Sequence, residues 1–339
     1  MQNKNLDNAI NELQGKHILV TGGAGFIGSN LVGFLISNNI QVTVLDNLST
    51  GRMSNLNEFE GNELFRFING DITDFDVCMN ALNGIDAVSH QAALGSVPRS
   101  IELPHNTHAV NATGFLNMLH AAKESGIDRF VYASSSSVYG NSQNSPKKIG
   151  EEGDLLSPYA VTKQLNEEYA KVYHKLHALQ TIGLRYFNVF GPKQDPNGVY
   201  AAAIPKFIDK MINGEEITIN GDGEQTRDFT YVLNAVKANV LGLSVQNENA
   251  YGRAFNVACG EYLSLNGVIG AIKKGLSANG QFNENTTIVN GPDRPGDVRD
   301  SLADISSTLK ELNYTSPIRF DQGMEIYLKT LLRENQESQ

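Results

Sequence analysis

The chain has little of what disulfide frameworks, metal centres and nucleic-acid surfaces are built from. Its 339 residues include only two cysteines, Cys78 and Cys259, far apart and without ligand spacing. Neither a disulfide scaffold nor a zinc site is expected, no metal is assigned, and a reducing cytoplasm is the simplest compartment. Basic residues are in deficit, 27 Lys+Arg against 37 Asp+Glu for a net charge of −10. That balance argues against a general nucleic-acid surface, which needs clustered Lys and Arg, and leaves any anionic ligand to local arginines. Apolar runs stay shorter than a membrane span, and Met1 to Gly15 is polar, with no hydrophobic signal core, so no membrane partner is expected. Internal repeats and low-complexity tracts are also missing.

What is present is a globular composition, 40% hydrophobic, in a chain too long for one small domain. Apolar runs at His17–Thr21, Ile40–Leu45, Leu64–Ile68, Ala87–His90, Phe130–Ala133 and Thr181–Tyr186 read as strands. Helical patterns at Ser29–Ser37, Asp76–Leu82, Thr107–Glu124 and Pro158–Leu179 alternate with them. This alternation predicts an α/β fold, a doubly wound parallel sheet covered by helices on both faces. Beyond Phe190, Gly, Pro and Asn punctuate shorter segments. The reading is a first domain over 1–189 and a smaller substrate lobe over 190–339, with an approximate boundary that allows segments to interleave.

Gly22-Gly-Ala-Gly25-Phe26-Ile27-Gly28 directly follows the first strand and opens the first helix. Glycines there admit close approach of a pyrophosphate to a helix N-terminus, although G-x-x-G-x-x-G is a variant of the usual dinucleotide fingerprint. Asp46 ends the second strand, where a carboxylate can accept both ribose hydroxyls and would repel a 2′-phosphate, so NAD is preferred over NADP. Asp71 after the third strand suits either the adenine end or a turn, and the sequence leaves both open.

Tyr159 and Lys163 are spaced to share one helix face, where an ammonium would favour the phenolate and make a general base. Composition alone supplies such a pair by chance, so its weight comes from the serine run Ser134–Ser137 before it.

The glycine turn, Asn111, Ala133-Ser-Ser-Ser-Ser-Val-Tyr-Gly140, Tyr159-x-x-x-Lys163 and Arg185-Tyr-Phe-Asn188 occur in an order that resembles the extended short-chain dehydrogenases/reductases, over roughly Lys16 to Leu331. The resemblance implies a Rossmann-type domain, bound NAD and a nucleotide-sugar substrate. It carries the catalytic roles onto Ser135, Tyr159 and Lys163: Ser135 bonds the reacting sugar oxygen, Tyr159 moves the proton, and Lys163 lowers the tyrosine pKa and bonds the nicotinamide ribose. It adds Asn47, Gly51, Ile72, Gln91, Ala92, Ala93, Asn111 and Tyr186 to the cofactor side. Sugar dehydratases of this family carry Asp-Glu where this chain has Ser136 and Ser137, and decarboxylases keep the glutamate. Elimination therefore lacks its acid and base, and 4-epimerisation through a 4-keto sugar remains. A non-catalytic NAD-sensing protein on this fold is the distant alternative, disfavoured because Tyr159 and Lys163 are both present.

The resemblance is nearest to UDP-N-acetylglucosamine 4-epimerases of bacterial polysaccharide pathways, through His90-Gln-Ala-Ala-Leu-Gly-Ser-Val-Pro-Arg-Ser100, Leu184 to Gly191 and Asp195-Pro-Asn-Gly198. It implies a box around the sugar C2 substituent formed by Gly95, Ser136, Asn188, Gln194 and Ser301. Ser301 stands where epimerases restricted to non-acetylated sugars have tyrosine. Further UDP-sugar contacts carried over are Ser96, Ser137, Ala202, Ala203, Asn220, Arg227, Arg294 and Asp297, the two arginines clamping the diphosphate. Departures are Gly23 in place of valine, Pro192-Lys193 in place of an arginine pair, and Asp300 in place of histidine, a charge unfavourable to a uronate. A homodimer through Thr107–Glu124 and Pro158–Leu179 is implied. UDP-glucose/galactose and N-acetylated uronate pairs stay open as alternatives.

Overall fold

The computed structural model describes residues 4–196, 202–292 and 299–337. Its first part alternates strand and helix: α1 (Lys4–Glu12), β1 (His17–Thr21), α2 (Phe26–Ser37), β2 (Gln41–Asp46), β3 (Phe65–Asn69), α3 (Phe75–Ala81), β4 (Ala87–His90), α4 (Val97–Glu102), α5 (Pro104–His108), α6 (Phe115–Glu124), β5 (Arg129–Ser135), α7 (Pro158–His177) and β6 (Gln180–Tyr186). The second part holds β7 (Val189–Phe190), α8 (Ala203–Asn213), β8 (Ile217–Asn220), β9 (Thr226–Arg227), β10 (Thr230–Tyr231), α9 (Val232–Ser244), β11 (Arg253–Val257), β12 (Leu263–Ser264), α10 (Leu265–Ala278), β13 (Ile288–Gly291), β14 (Asp300–Ser301), α11 (Ser306–Glu311) and α12 (Phe320–Glu337).

Seven strands form one parallel sheet in the order β11-β6-β5-β4-β1-β2-β3. Both faces are covered, which is why β1 is buried from Ile18 to Thr21 without polar alternation. Helices α2 and α9 pack one face with Leu31, Leu35, Ala235 and Leu241. On the other face α3, α6 and α7 contribute Cys78, Phe115, Leu119 and Ala170. This is the Rossmann-type fold. Strand order reverses between β1 and β4, opening a crevice at their carboxyl ends, the usual ligand position in such sheets.

Each predicted strand and helix of the first part is present to within a few residues, while α4 and the seventh strand are additions. β11 lies after residue 190 yet pairs with β6 from Arg253↔Ile182 to Val257↔Tyr186, and α9 packs back on the sheet, so the two parts of the chain interleave. The alternating Arg-Ala-Phe-Asn-Val of β11 hides a buried strand. Its Asn256 is tolerated there because it donates to Lys147 O and Asp304 O and accepts from Tyr139 Oη. A separate core of Phe190, Ile208, Met211, Val232, Ile272 and Tyr327 holds the second lobe together.

Candidate active site

The crevice at the β1/β4 switch point has a volume of about 440 Å³. Gly22 closes β1 with φ +67°, and a Cβ there would meet Ala92 N at 2.6 Å; one on Gly28 would meet Gly22 O at 2.2 Å. The turn and the start of α2 therefore press together in a way no side chain permits. Gly25 caps α2 without any side-chain hydrogen bond, so no side chain stands between the first N–H groups and an approaching anion. These features fit the pyrophosphate of NAD. Gly23, the departure from valine, has its own cause: a Cβ would lie 2.7 Å from both Val44 methyls, so Val44 fills that room.

Asp46 is buried and accepts from Ala24 N at 3.0 Å and Leu48 N at 2.8 Å, holding the turn while lining the crevice. Gly51 backs this contact, since a Cβ there would touch Asp46 Oδ2 at 3.0 Å. Asp71 is a turn residue that also faces the crevice. It makes a turn with Thr73 N and Oγ1, accepts Asn47 Nδ2 at 2.7 Å, and lines the crevice. Partial burial works against its ionisation, but those hydrogen bonds win and hold its carboxyl below the usual range.

Gly22, Gly25, Phe26, Ile27, Gly28, Asp46, Asn47, Asp71, Ile72, Gln91, Ala92, Ala93, Tyr159, Lys163 and Tyr186 line this crevice, together with Gly95, Gln194 and Ala202. Tyr186 is fixed by a buried network: Oη donates to Gln91 Oε1 at 2.9 Å and accepts Asn239 Nδ2 at 2.7 Å, while Asn239 Oδ1 accepts from Ser89 Oγ and Gln91 Nε2. Asn239, on α9, escaped sequence reasoning because nothing local links it to the site. Arg99 on α4 also lines the crevice, a cation in an otherwise acidic chain whose motif was read only for its family pattern. Asn111 is buried in a π-turn between α5 and α6, exchanging hydrogen bonds with Leu94 N and O and donating to Thr162 Oγ1. It thereby holds Leu94 of the loop after β4, which lines the crevice.

At the inner end, Ser135 ends β5 and Tyr159 and Lys163 lie one turn apart on α7, whose N-terminus is capped by Ser157 and Pro158. The Ser135 Oγ accepts Ser137 N at 3.2 Å and lies beside the Tyr159 phenol, whose ionisation it favours. Lys163 is buried, its Nζ 2.8 Å from Ala133 O and 5.9 Å from the Tyr159 ring centre. Burial holds the Tyr159 phenol above its ordinary pKa, with the Ser135 bond opposing, and the ammonium is turned to Ala133 O. Burial also pushes Lys163 down to about 8, against the pull of the Glu167 carboxylate.

Other substrate-side residues gather less tightly. Ser136 and Ser137 form a 3₁₀ turn after Ser135, with Ser137 Oγ buried and without a partner among the described residues. Asn188 Nδ2 donates to Asp228 O at 3.1 Å, and Asp228 N donates to Ser301 O at 2.9 Å. Asp228 thus ties Asn188 and Ser301 into one unit. Gln194 Nε2 reaches Val189 O at 3.3 Å, and its Oε1 is buried without a partner among the described residues. Ser96 caps α4 through Arg99 N. Ala203 and Asn220 are exposed, the latter accepting Gln225 Nε2 through its carbonyl. Arg227 folds onto Thr226 O and Arg299 O, and Asp300 accepts Thr226 Oγ1 at 2.6 Å. Arg294 and Asp297 lie outside the described residues. Lys193 reaches back to Glu58 and Asn55 O, and Arg52 pairs with Asp195, so the 192–195 loop is pinned across the cofactor side.

Among the described residues no helix is long and apolar enough to cross a membrane, and no cluster of His, Cys, Asp or Glu could hold a metal ion. Residues 18–258 match the model of the NAD dependent epimerase/dehydratase family. A putative UDP-glucose 4-epimerase of Methanocaldococcus jannaschii is 37% identical over 94% of this chain and 99% of that protein. The structure of UDP-N-acetylglucosamine 4-epimerase from Methanobrevibacter ruminantium, in complex with UDP-N-acetylmuramic acid, superposes with a TM-score of 0.86 at 39% identity, covering 94% of this chain and 99% of that one. UDP-glucuronic acid 4-epimerase from Bacillus cereus, solved with UDP-glucuronic acid and NAD, does so at 0.82 and 33%, over 93% and 99%. The chain therefore belongs to the NAD dependent epimerase/dehydratase family, on its UDP-sugar 4-epimerase side, and NAD is its cofactor.

Proposed function

We propose that this protein interconverts UDP-N-acetylglucosamine and UDP-N-acetylgalactosamine by epimerisation at C4, for surface polysaccharide precursors. NAD supplies the hydride acceptor and donor for C4. Ser135 holds the C4 oxygen, Tyr159 takes its proton on oxidation and returns it on reduction, and the 4-keto sugar turns over between the two steps. Ser136 and Ser137 provide no acid or base for elimination, which separates this reading from dehydration.

The observation that carries the acetylated sugar is Gln194 Oε1, a buried acceptor at the crevice with no partner among the described residues. An unsatisfied buried acceptor costs roughly 1–3 kcal/mol, and an acetamido N–H on C2 would satisfy it where a bare hydroxyl has other choices. The linked pair of Asn188 and the small Ser301 supports the same reading. The runner-up readings are UDP-glucose/galactose and N-acetylated uronate pairs, and relatives acting on UDP-glucose and UDP-glucuronate keep them in view. Purified protein incubated with UDP-N-acetylglucosamine, UDP-glucose and UDP-N-acetylglucosaminuronic acid, followed by NMR at the anomeric proton, tests class and sugar together. Interconversion without added reductant is expected, with the highest kcat/KM on the acetylated hexose pair. No product with saturating NAD rejects the activity.

A further inference from the structure

Strand β14 and the residues that follow it are held from both edges. On one edge Asp228 N donates to Ser301 O at 2.9 Å, and Asp228 Oδ2 accepts Ala303 N at 3.3 Å. On the other, Lys147 N donates to Leu302 O at 2.7 Å and Lys147 O accepts Asp304 N at 3.0 Å, while Asn256 Nδ2 donates to both Lys147 O and Asp304 O. Residues 301 and 303 therefore answer to Asp228, and 302 and 304 to Lys147. The Lys147 edge is backbone to backbone, whereas the Asp228 edge depends on one fully buried side chain. Asp228 Oδ1 accepts Cys259 N at 3.0 Å, and Oδ2 accepts Gly260 N at 3.0 Å beside Ala303 N. Three N–H groups from two segments need an acceptor with two oxygens and no donor, which a carboxylate supplies and an amide does not. Asp228 also holds Asn188, whose Nδ2 donates to its carbonyl at 3.1 Å. Asn188 sits at φ +35°, a left-handed conformation that a residue other than glycine keeps where its surroundings impose it.

We propose that Asp228 is a positioning residue for sugar selectivity: it sets the spacing between Asn188 and Ser301 and thereby the C2 substituent that the site accepts. This deepens the reading above and rests on Asn188 and Ser301 as walls of the C2 box. Asn188 is held through the Asp228 carbonyl and Ser301 through the Asp228 N–H, so both walls hang on one residue. The carboxylate anchors that residue to the 259–260 turn and clamps Ala303, two positions past Ser301. Without it the backbone bonds to Asn188 and Ser301 can still form, but the residue that makes them is free to shift. Hydrogen bonds weaken steeply with misalignment. An acetamido group has an N–H and a carbonyl to place, whereas a hydroxyl rotates to suit its partners, so a shifted wall costs the acetylated sugar more.

The test compares the dissociation constants of UDP-N-acetylglucosamine and UDP-glucose for the NAD-loaded protein by calorimetric titration. It is run at about pH 8, above the value of about 7 to which burial pushes the Asp228 carboxyl against its backbone partners. Both ligands carry the same UDP, so any loss at the diphosphate cancels in their ratio. Asp228→Ala removes the clamp, and the preference for the acetylated sugar is expected to fall roughly five- to tenfold, what one misplaced hydrogen bond is worth. On sugars that turn over, the same change should appear in KM more than in kcat. Ala303→Pro removes only the N–H that Oδ2 accepts, so a smaller shift in the same direction is expected, and it decides the matter if Asp228→Ala does not fold. A folded variant that keeps the wild-type ratio, or weakens both sugars equally, overturns the proposal and makes Asp228 a brace for the fold alone. Binding needs no turnover. A wild-type preference for UDP-glucose that Asp228→Ala erodes would sink the acetylated-sugar reading and spare this one, whereas equal affinities in the wild type would overturn this one whichever sugar is epimerised.

Discussion

At the scale of single residues, the site spends stability on chemistry. Lys163 is a buried ammonium whose pKa is depressed to about 8 by desolvation. Between about pH 8 and the unfolded lysine value of roughly 10.4 the unfolded chain binds more protons, so stability rises with pH across that window; below it the full cost of burying the charge is present. Lys163→Met is expected to lose epimerase activity yet melt higher than wild type at pH 7, with the gain shrinking as pH climbs through that window, read by calorimetric melts at stepped pH. Tyr159→Phe should lower kcat by about 10²- to 10⁴-fold, the usual range for a general acid–base group, and leave NAD bound, as measured by cofactor content after gel filtration. Loss of NAD would give the tyrosine a structural role. Ser301→Tyr should abolish turnover of N-acetylated sugars and spare UDP-glucose; equal losses in parallel kcat/KM measurements would remove Ser301 from the C2 box.

At the scale of elements, the glycine turn between β1 and α2 has the tightest tolerance. Gly22→Ala meets both a left-handed φ of +67° and a backbone atom, Ala92 N, at 2.6 Å, which cannot yield as a flexible side chain would. A cost of about 1–3 kcal/mol is expected, and because the strain sits where the cofactor must approach, NAD retention should fall by at least tenfold with a smaller drop in Tm. Equal NAD affinity in calorimetric titrations would contradict the cradle. Most elements of the first part were legible because buried parallel strands read as nearly continuous apolar runs, as Ile18–Val20 does and Val42–Leu45 does but for Thr43. α4 was not, since six residues containing Pro98 carry no full amphipathic period, and its start is marked only by the Ser96 cap. β11 was hidden by Asn256, whose polarity is cancelled by partners from three other segments.

At the scale of the molecule, α7 presents an apolar stripe to the outside: Val161, Val172 and Leu176 are 52%, 44% and 71% exposed, near Ile101 and Leu103 at 63% and 46%. Exposed contiguous apolar side chains at helical spacing suit a helix from a second copy, which supports the proposed homodimer. Leu176→Glu is expected to shift the sedimentation coefficient to that of a monomer with the fold intact by circular dichroism; an unchanged oligomer would place the interface elsewhere. The chain's order of residues by itself determined the fold class and the cofactor turn and put Tyr159 and Lys163 on one helix face, because each depends on local spacing: glycines after a buried strand, and side chains four apart on one helix; Ser135 joined them only through the family resemblance. Only the tertiary structure decided what these groups experience. Burial, which no local pattern reveals, raised the phenol and lowered the ammonium. Long-range packing brought Asn239 to Tyr186, Asp228 between Asn188 and Ser301, and Arg185 and Ser134 to Glu167. Proton affinity and hydrogen-bond partnership are set by neighbours distant in sequence, and only the folded chain names those neighbours.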